Sequence, residues 1–226
     1  MLAEFAKVDI ASRHHELTGE VTRQLALQMC YEDTIRVADL KTRSSRFARI
    51  REHVGSTDDQ PVRIIEYLHP RIEEVCDTLP SFLGSMILKS ALLRKSLSPL
   101  FRKGRNISTT SIAGFLLFHA LSKLKVLRRG TYRYKKQQSF ISGWLDRVTA
   151  ATCDDYEYGL AVARCIEIVK GYGDTYERGM SRYLEIVDPQ KGAKNGSAVR
   201  KLHRAVLADE KGDLFRESLS SIGVAP

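Results

Sequence analysis

The chain has 226 residues, of which 28% are charged and 43% hydrophobic, so it is long enough to bury the core of one soluble domain. Its formal net charge of +9 favours an anionic partner. The longest apolar run, around 112–127, contains His119, Lys123 and Lys125, which excludes a membrane span, and no export signal follows Met1. These features predict a cytoplasmic location.

Helical periodicity dominates the first half of the chain, and strand signals are almost absent. One long helix is predicted over 20–53, and residues 1–19 would form an extension or a linker from an upstream domain. Pro70 is expected to begin the next helix and Pro80 to end it.

The second half of the chain shows the same helical periodicity. Ser108 or Thr109 is expected to cap the most apolar helix, and Asp154 or Asp155 to cap a later helix that runs to Lys170. The sequence therefore predicts a single all-α domain over 1–226, with about eight helices and little or no β-structure.

A glycine-rich segment at 170–179 separates two of the predicted helices. Gly171 is expected to end the first helix and Asp174 to cap the second, and Gly171 or Gly173 should have a positive φ. A phosphate-binding loop is the alternative, but a dinucleotide fingerprint requires a strand before it and a third glycine where Tyr176 lies. A P-loop requires Gly-Lys-Ser/Thr, which is absent, so a tight helix–turn–helix is favoured over an anion site.

Positive charge is concentrated in one acid-free stretch. Between Thr78 and Leu145 there is no Asp or Glu, whereas thirteen Lys and Arg occur there. This stretch predicts a positive surface that attracts an anionic partner, with an ordinary solvated face as the alternative. The residues expected to form the surface are Arg102, Lys103, Arg105, Arg128, Arg129, Arg133, Lys135 and Lys136.

Charged residues also fall on the apolar arc of the predicted long helix, namely Asp33, Arg36, Arg43 and Arg51. One interpretation is an exposed edge, or arginine stems that pack while their charged ends stay in water. The other is a semi-buried Arg/Asp cluster that fixes the helix register or receives a carboxylate or phosphate. Both remain open.

No catalytic set and no metal site can be identified. His69 could act as a base or a ligand, but no second ligand lies at a suitable spacing. The hydroxyls of residues 109–111 are explained by N-capping. The four cysteines are scattered without a CxxC pair, which predicts reduced thiols with no metal.

Four segments together carry a resemblance to a known family. They are Asp33–Arg43, Glu66–Arg71, Thr109–Ser111 and Val169–Gly179. In combination they resemble the C-terminal helical domain of bacterial indolepyruvate:ferredoxin oxidoreductases, found on the beta subunit or at the end of the fused enzyme. The resemblance covers nearly the whole chain.

The resemblance implies that other domains bind thiamine diphosphate, magnesium and iron–sulfur clusters and oxidatively decarboxylate aryl 2-oxoacids to acyl-CoA. This chain lacks a thiamine-type Gly-Asp-Gly stretch and a cysteine cluster, so no cofactor is expected in it. Its expected role is that of a non-catalytic helical domain that supports subunit assembly or binds an anionic partner. The expected partners are the thiamine-dependent subunit or domains, with ferredoxin or CoA as further candidates.

The alternative is a free-standing basic helical module that binds nucleic acid or another polyanion. Residues 128–136 interleave basic and aromatic residues as nucleic-acid sites do, although no recognised nucleic-acid fold accompanies them. Candidate residues for anion binding or an interface are Arg36, Arg43, His69, Arg71, Arg128, Arg129, Arg133, Lys170 and Arg178, and the structural turn is assigned to Gly171, Gly173 and Asp174.

Overall fold

The computed structural model describes residues 5–7, 9, 13–30, 33–57, 59–69, 71–101, 103–171, 173–188 and 192–222. Pro70 and Arg102, for which the sequence predicted roles, lie outside these residues, as does Tyr172 of the glycine-rich segment. The chain forms two compact units, with residues 1–30 and 140–226 in unit 1 and residues 31–139 in unit 2. The single-domain organisation stays a prediction.

In chain order the elements are α1 (Glu16–Met29), α2 (Thr34–Lys41), α3 (Ser44–His53), β1 (Ile65–Leu68), α4 (Ile72–Thr78), α5 (Ser81–Lys89), α6 (Ala91–Phe101), β2 (Arg105–Ser108), α7 (Ile112–Lys123), α8 (Tyr132–Asp154), α9 (Tyr156–Cys165), α10 (Gly173–Val187), α11 (Gly196–Ala208) and α12 (Asp213–Ile222). Short 3₁₀ segments follow α7 (Leu124–Gly130) and α9 (Ile166–Ile168). None of the described helices is both long and apolar enough to cross a bilayer.

The predicted all-α class is confirmed, with one small sheet in addition to the helices. β1 and β2 pair antiparallel in the register Ile65↔Ser108 to Leu68↔Arg105. The strand signals in the sequence are weak because each strand has only four residues, too few for a clear alternating pattern.

The long helix predicted over 20–53 is broken into α1, α2 and α3, so the chain has more helices than the eight expected. α2 begins anew because the Asp33 carboxylate accepts a hydrogen bond from the Arg36 backbone N–H at 2.7 Å. α2 ends where the Thr42 hydroxyl donates to the Ala38 carbonyl oxygen at 3.0 Å. These hydrogen bonds pair backbone groups at the two ends of α2. They therefore favour a break at these positions over one continuous helix.

Unit 1 holds most of the buried apolar side chains of the chain. Twenty-seven of the 32 buried apolar residues in the described part of the chain belong to it, including Trp144, Tyr183 and Leu202. Helix α9 lies at the centre of this core, where it packs against both α1 and α11. Its small residues, such as Ala161 and Ala163, allow the neighbouring helices to approach closely.

Unit 2 has a much smaller core. Among its described residues only five apolar side chains are buried: Ile35, Ala38, Ile72, Cys76 and Phe118. The main helix contact is between α2 and α7. Fourteen of the nineteen large apolar side chains that are exposed belong to unit 2. Unit 2 therefore buries little apolar surface within the chain and leaves much of it in contact with solvent.

Candidate functional site

Three of the four segments that carry the family resemblance are joined within unit 2. Glu66 in β1 accepts hydrogen bonds from Lys41 at the end of α2 and from Arg46 in α3. Burial of its side chain, which is 12% exposed, opposes ionisation. The hydrogen bonds and charges of Lys41 and Arg46 outweigh this effect and hold the pKa of Glu66 below its ordinary value.

The third segment, Thr109–Ser111, is hydrogen-bonded to the residue that precedes β1. The Thr109 N–H donates to the Ile64 carbonyl oxygen at 3.0 Å, and the Ile64 N–H donates to the Thr110 hydroxyl at 3.2 Å. Ser111 then caps α7 by accepting from the Gly114 N–H at 3.2 Å, so the cap is Ser111 and not Ser108 or Thr109. The segments thus form a polar framework that connects α2, α3, β1 and α7.

Two of the arginines expected on the basic surface form ion pairs inside unit 2. Arg128 donates to both oxygens of Asp33 at 3.0 Å, a bidentate arrangement in which the Asp33 side chain is 10% exposed. Arg133 donates to Asp77 at 3.2 Å. Burial raises the pKa of Asp77 despite the opposing effect of Arg133. The exposed positive charges nearby are those of Lys123, Lys125, Arg129, Lys135 and Lys136.

Both interpretations of the charged arc on the predicted long helix apply in part. Arg36 and Arg43 are exposed and contact Asp39 at 3.2 and 2.6 Å, as on a solvated edge. Hydrogen bonding by Arg43 lowers the pKa of Asp39. The half-buried pair is instead Asp33 with Arg128, a partner outside that helix that sequence reasoning did not connect to it.

His69 and Arg71 are exposed in the link between β1 and α4. The Arg71 N–H donates to the Glu74 carboxylate at 3.4 Å, which supports the first turn of α4. Arg71 thus takes part in the start of a helix.

The glycine-rich segment lies in unit 1, between the 3₁₀ segment that follows α9 and helix α10. Gly171 has φ +80° and Gly173 has φ +53°, backbone conformations that favour glycine. Helix α10 starts at Gly173, so Asp174 lies in its first turn and is not the N-cap that the sequence predicted. Lys170 is exposed, and Arg178 contacts Glu210 at 3.4 Å.

A cavity of about 580 Å³ lies in unit 2 beside the N-terminus of α7. Its lining consists of seven apolar residues, the hydroxyl residues Thr109, Thr110 and Ser111, and Arg51. The sequence showed the three hydroxyls but not the cavity, because Arg51 and the apolar wall come from other parts of the chain. Among the described side chains, no three His, Cys, Asp or Glu lie close enough together to hold a metal ion.

The fold and surface define a class of protein: a helical domain with one well-packed unit and one unit whose surface is apolar and basic. Residues 1–189 match DUF6537, a family of unknown function, and the chain belongs to this family. Comparison with curated proteins and with solved structures finds no match.

Proposed function

We propose that this chain is a non-catalytic docking domain of a cytoplasmic 2-oxoacid oxidoreductase, and that unit 2 attaches it to the thiamine-dependent part of the enzyme. The observation that supports this proposal is that unit 2 exposes more apolar side chains than it buries. Among its described residues, five apolar side chains are buried and fourteen large ones are exposed. Exposed apolar surface on this scale is typical of a surface that another protein covers.

Several of the most exposed apolar side chains of unit 2 lie on the 3₁₀ segment after α7 and on helices α5 and α6. Val126 and Leu127, in the 3₁₀ segment after α7, are 81% and 65% exposed, and Leu92 in α6 and Phe82 in α5 are also exposed. Full burial of such a side chain contributes roughly 1.5–3 kcal/mol. A partner that covers only a few of them would therefore gain a substantial part of the free energy of a stable complex.

The charges beside these side chains favour an acidic protein surface as the partner. Lys123, Lys125 and Arg129 are exposed on either side of Val126 and Leu127, in a stretch of sequence without acidic residues. Nucleic acid would bind the positive charges but would leave aliphatic side chains in water. A protein surface that combines apolar and acidic residues satisfies both features.

The enzyme class in this proposal is taken from the resemblance of the four segments to indolepyruvate:ferredoxin oxidoreductases. Three of the segments form the polar framework around Glu66, which holds together the unit that we assign to docking. Thiamine diphosphate, magnesium and iron–sulfur clusters would belong to the partner domains or subunits. Ferredoxin and CoA are further anionic candidates for the same basic surface.

Affinity purification of the chain from its own cells tests the proposal. The eluate should contain thiamine diphosphate and iron–sulfur clusters and should oxidise indolepyruvate or another 2-oxoacid in the presence of CoA and an electron acceptor. Replacement of Val126 and Leu127 by serine should remove this activity from the eluate, because the apolar contacts are lost.

The matched control replaces two exposed leucines of unit 1, Leu184 and Leu207, by serine. This variant should retain the activity in the eluate. The proposal fails if the eluate has no such activity, or if both double variants behave alike. Nucleic acid in the eluate that is released as salt rises would favour the alternative of a basic nucleic-acid module.

A further inference from the structure

We propose that the solvent-facing side of α7 binds an amphipathic helix of the partner, and that this helix carries acidic residues beside its apolar side chains. We rest this proposal on the docking role of unit 2 but not on the enzyme class. The solvent-facing side of α7 leads directly into Val126 and Leu127, the exposed pair in the 3₁₀ segment that follows.

Helix α7 is apolar on its solvent-facing side as well as inside the unit. Its buried positions are Gly114, Phe118 and Ser122. With 3.6 residues per turn, seven exposed positions fall together on the opposite side, over an arc of about 140°. Lys123 is one of them, and the other six, which we call the apolar stripe, are Ile112, Ala113, Leu116, Leu117, Ala120 and Leu124. A surface helix normally presents polar side chains to water, and a helix that is apolar all round is normally buried, so the apolar stripe is expected to be covered.

The spacing and size of these residues match the packing of one helix on another. Ala113, Leu117, Ala120 and Leu124 follow at intervals of four, three and four residues, as along a helix–helix contact. The two alanines would allow the backbone of a second helix to approach closely, while the leucines would pack at its sides. A β-strand, whose side chains repeat every two residues, does not match this spacing. At 1.5 Å per residue, the twelve residues of α7 provide a contact about 18 Å long.

The charges at the end of the apolar stripe favour an acidic helix over a second copy of this chain. Lys123, Lys125 and Arg129 are exposed there, in a stretch of sequence that contains no Asp or Glu. Two copies, each with a formal net charge of +9, would repel each other. Aspartate or glutamate side chains on a partner helix would instead pair with these three cations.

The two alanines of the apolar stripe also favour a helix over a lipid surface. Insertion into a bilayer surface depends on the apolar area that is buried, and large side chains supply most of that area. Ala113 and Ala120 contribute little area, but they are the residues that permit close packing against a second helix.

Site-specific photo-crosslinking in the cells of origin tests the proposal. With p-benzoylphenylalanine in place of Leu117, which is 55% exposed, the full chain should cross-link to a partner peptide that has helically spaced apolar residues and Asp or Glu beside them. A cross-link to a second copy of this chain, or to a segment without this pattern, would overturn the proposal. The same label in place of Leu127 reports on the proposed docking segment.

The two labels separate the helix proposal from the proposed function. A cross-link from position 127 but none from position 117 would overturn the helix proposal and leave the docking role intact. No cross-link from either position would overturn both. A cross-link from position 117 to an acidic amphipathic helix of an unrelated enzyme would confirm the helix proposal and overturn the enzyme class.

Ala120→Trp adds apolar area but prevents the close approach of a second helix. The amount of partner recovered with the chain should fall by at least about tenfold. Ala48→Trp, at an exposed alanine of α3 in the same unit, should leave the recovery unchanged, and both variants should melt at the temperature of the original chain. Equal recovery with the two variants would overturn the proposal. Binding of the chain to vesicles of phosphatidylcholine and phosphatidylserine that Ala120→Trp strengthens would also overturn it, because this result identifies a lipid surface.

Charge reversal tests the acidic character of the partner helix. Lys123→Glu combined with Lys125→Glu should lower the recovery of the partner several-fold, because both charges lie at the end of the apolar stripe. Lys135→Glu combined with Lys136→Glu makes the same change of net charge in α8 and should have a smaller effect. Equal losses in the two double variants would overturn the assignment of acidic residues to the helix that contacts α7.

Discussion

Asp33 connects two parts of unit 2 through a single carboxylate. It caps α2 and receives both hydrogen bonds from Arg128. Asp33→Asn keeps a capping oxygen but loses the ion pair, so it should destabilise unit 2 by about 1–2 kcal/mol. Asp33→Ala also removes the cap and should cost about 1 kcal/mol more. Urea unfolding followed by far-UV circular dichroism measures both changes.

Asp39 provides the control for this prediction. Its contacts with Arg36 and Arg43 are on the surface, where solvent screens them, so Asp39→Asn should cost less than about 1 kcal/mol. An equal loss of stability in the Asp39→Asn and Asp33→Ala variants would show that burial of the Asp33 pair has no special importance.

At the scale of elements, the packing of α10 depends on Gly179. A Cβ atom at this position would collide with the carbonyl oxygen of Ile168, which belongs to the 3₁₀ segment after α9. A backbone oxygen cannot move aside as a flexible side chain can. Gly179→Ala should therefore destabilise unit 1 by about 1–3 kcal/mol, measured by thermal unfolding with the fluorescence of the buried Trp144.

Gly19 in α1 is the matched control, because a Cβ there would meet no atom within 4 Å. Gly19→Ala should stabilise the helix by about 0.5–1 kcal/mol, since alanine loses less conformational freedom. If both alanine variants shift the melting temperature in the same direction, close packing at Gly179 is not the dominant effect.

At the scale of the whole molecule, the unequal cores predict unequal stability of the two units. Amide hydrogen exchange measured by mass spectrometry should be slowest in α9 and α11, which lie in the core of unit 1. The helices of unit 2 should exchange faster in the isolated chain. Binding of the proposed partner should slow exchange in Leu124–Gly130, and equally slow exchange in both units would contradict the prediction.

Much of the helical structure could be predicted because its signals involve residues close together in the sequence. Asp155 caps α9 by accepting a hydrogen bond from the Tyr158 N–H, three residues away. Such caps can be predicted because only a few residue types, such as Asp, Asn, Ser and Thr, are preferred at the N-cap position. The positive φ angles in the glycine-rich segment could be predicted for the same reason, since Gly171 and Gly173 have conformations that other residues rarely adopt.

Contacts between distant residues could not be predicted in this way. The pair Asp33–Arg128 joins positions 95 residues apart, and the cavity brings Arg51 beside hydroxyls that follow β2. Many other acidic and basic side chains in the chain were equally suitable partners, so residue type alone did not select one. Which acidic and basic side chains pair depends on which helices pack together. Only that packing brings the two side chains within hydrogen-bonding distance.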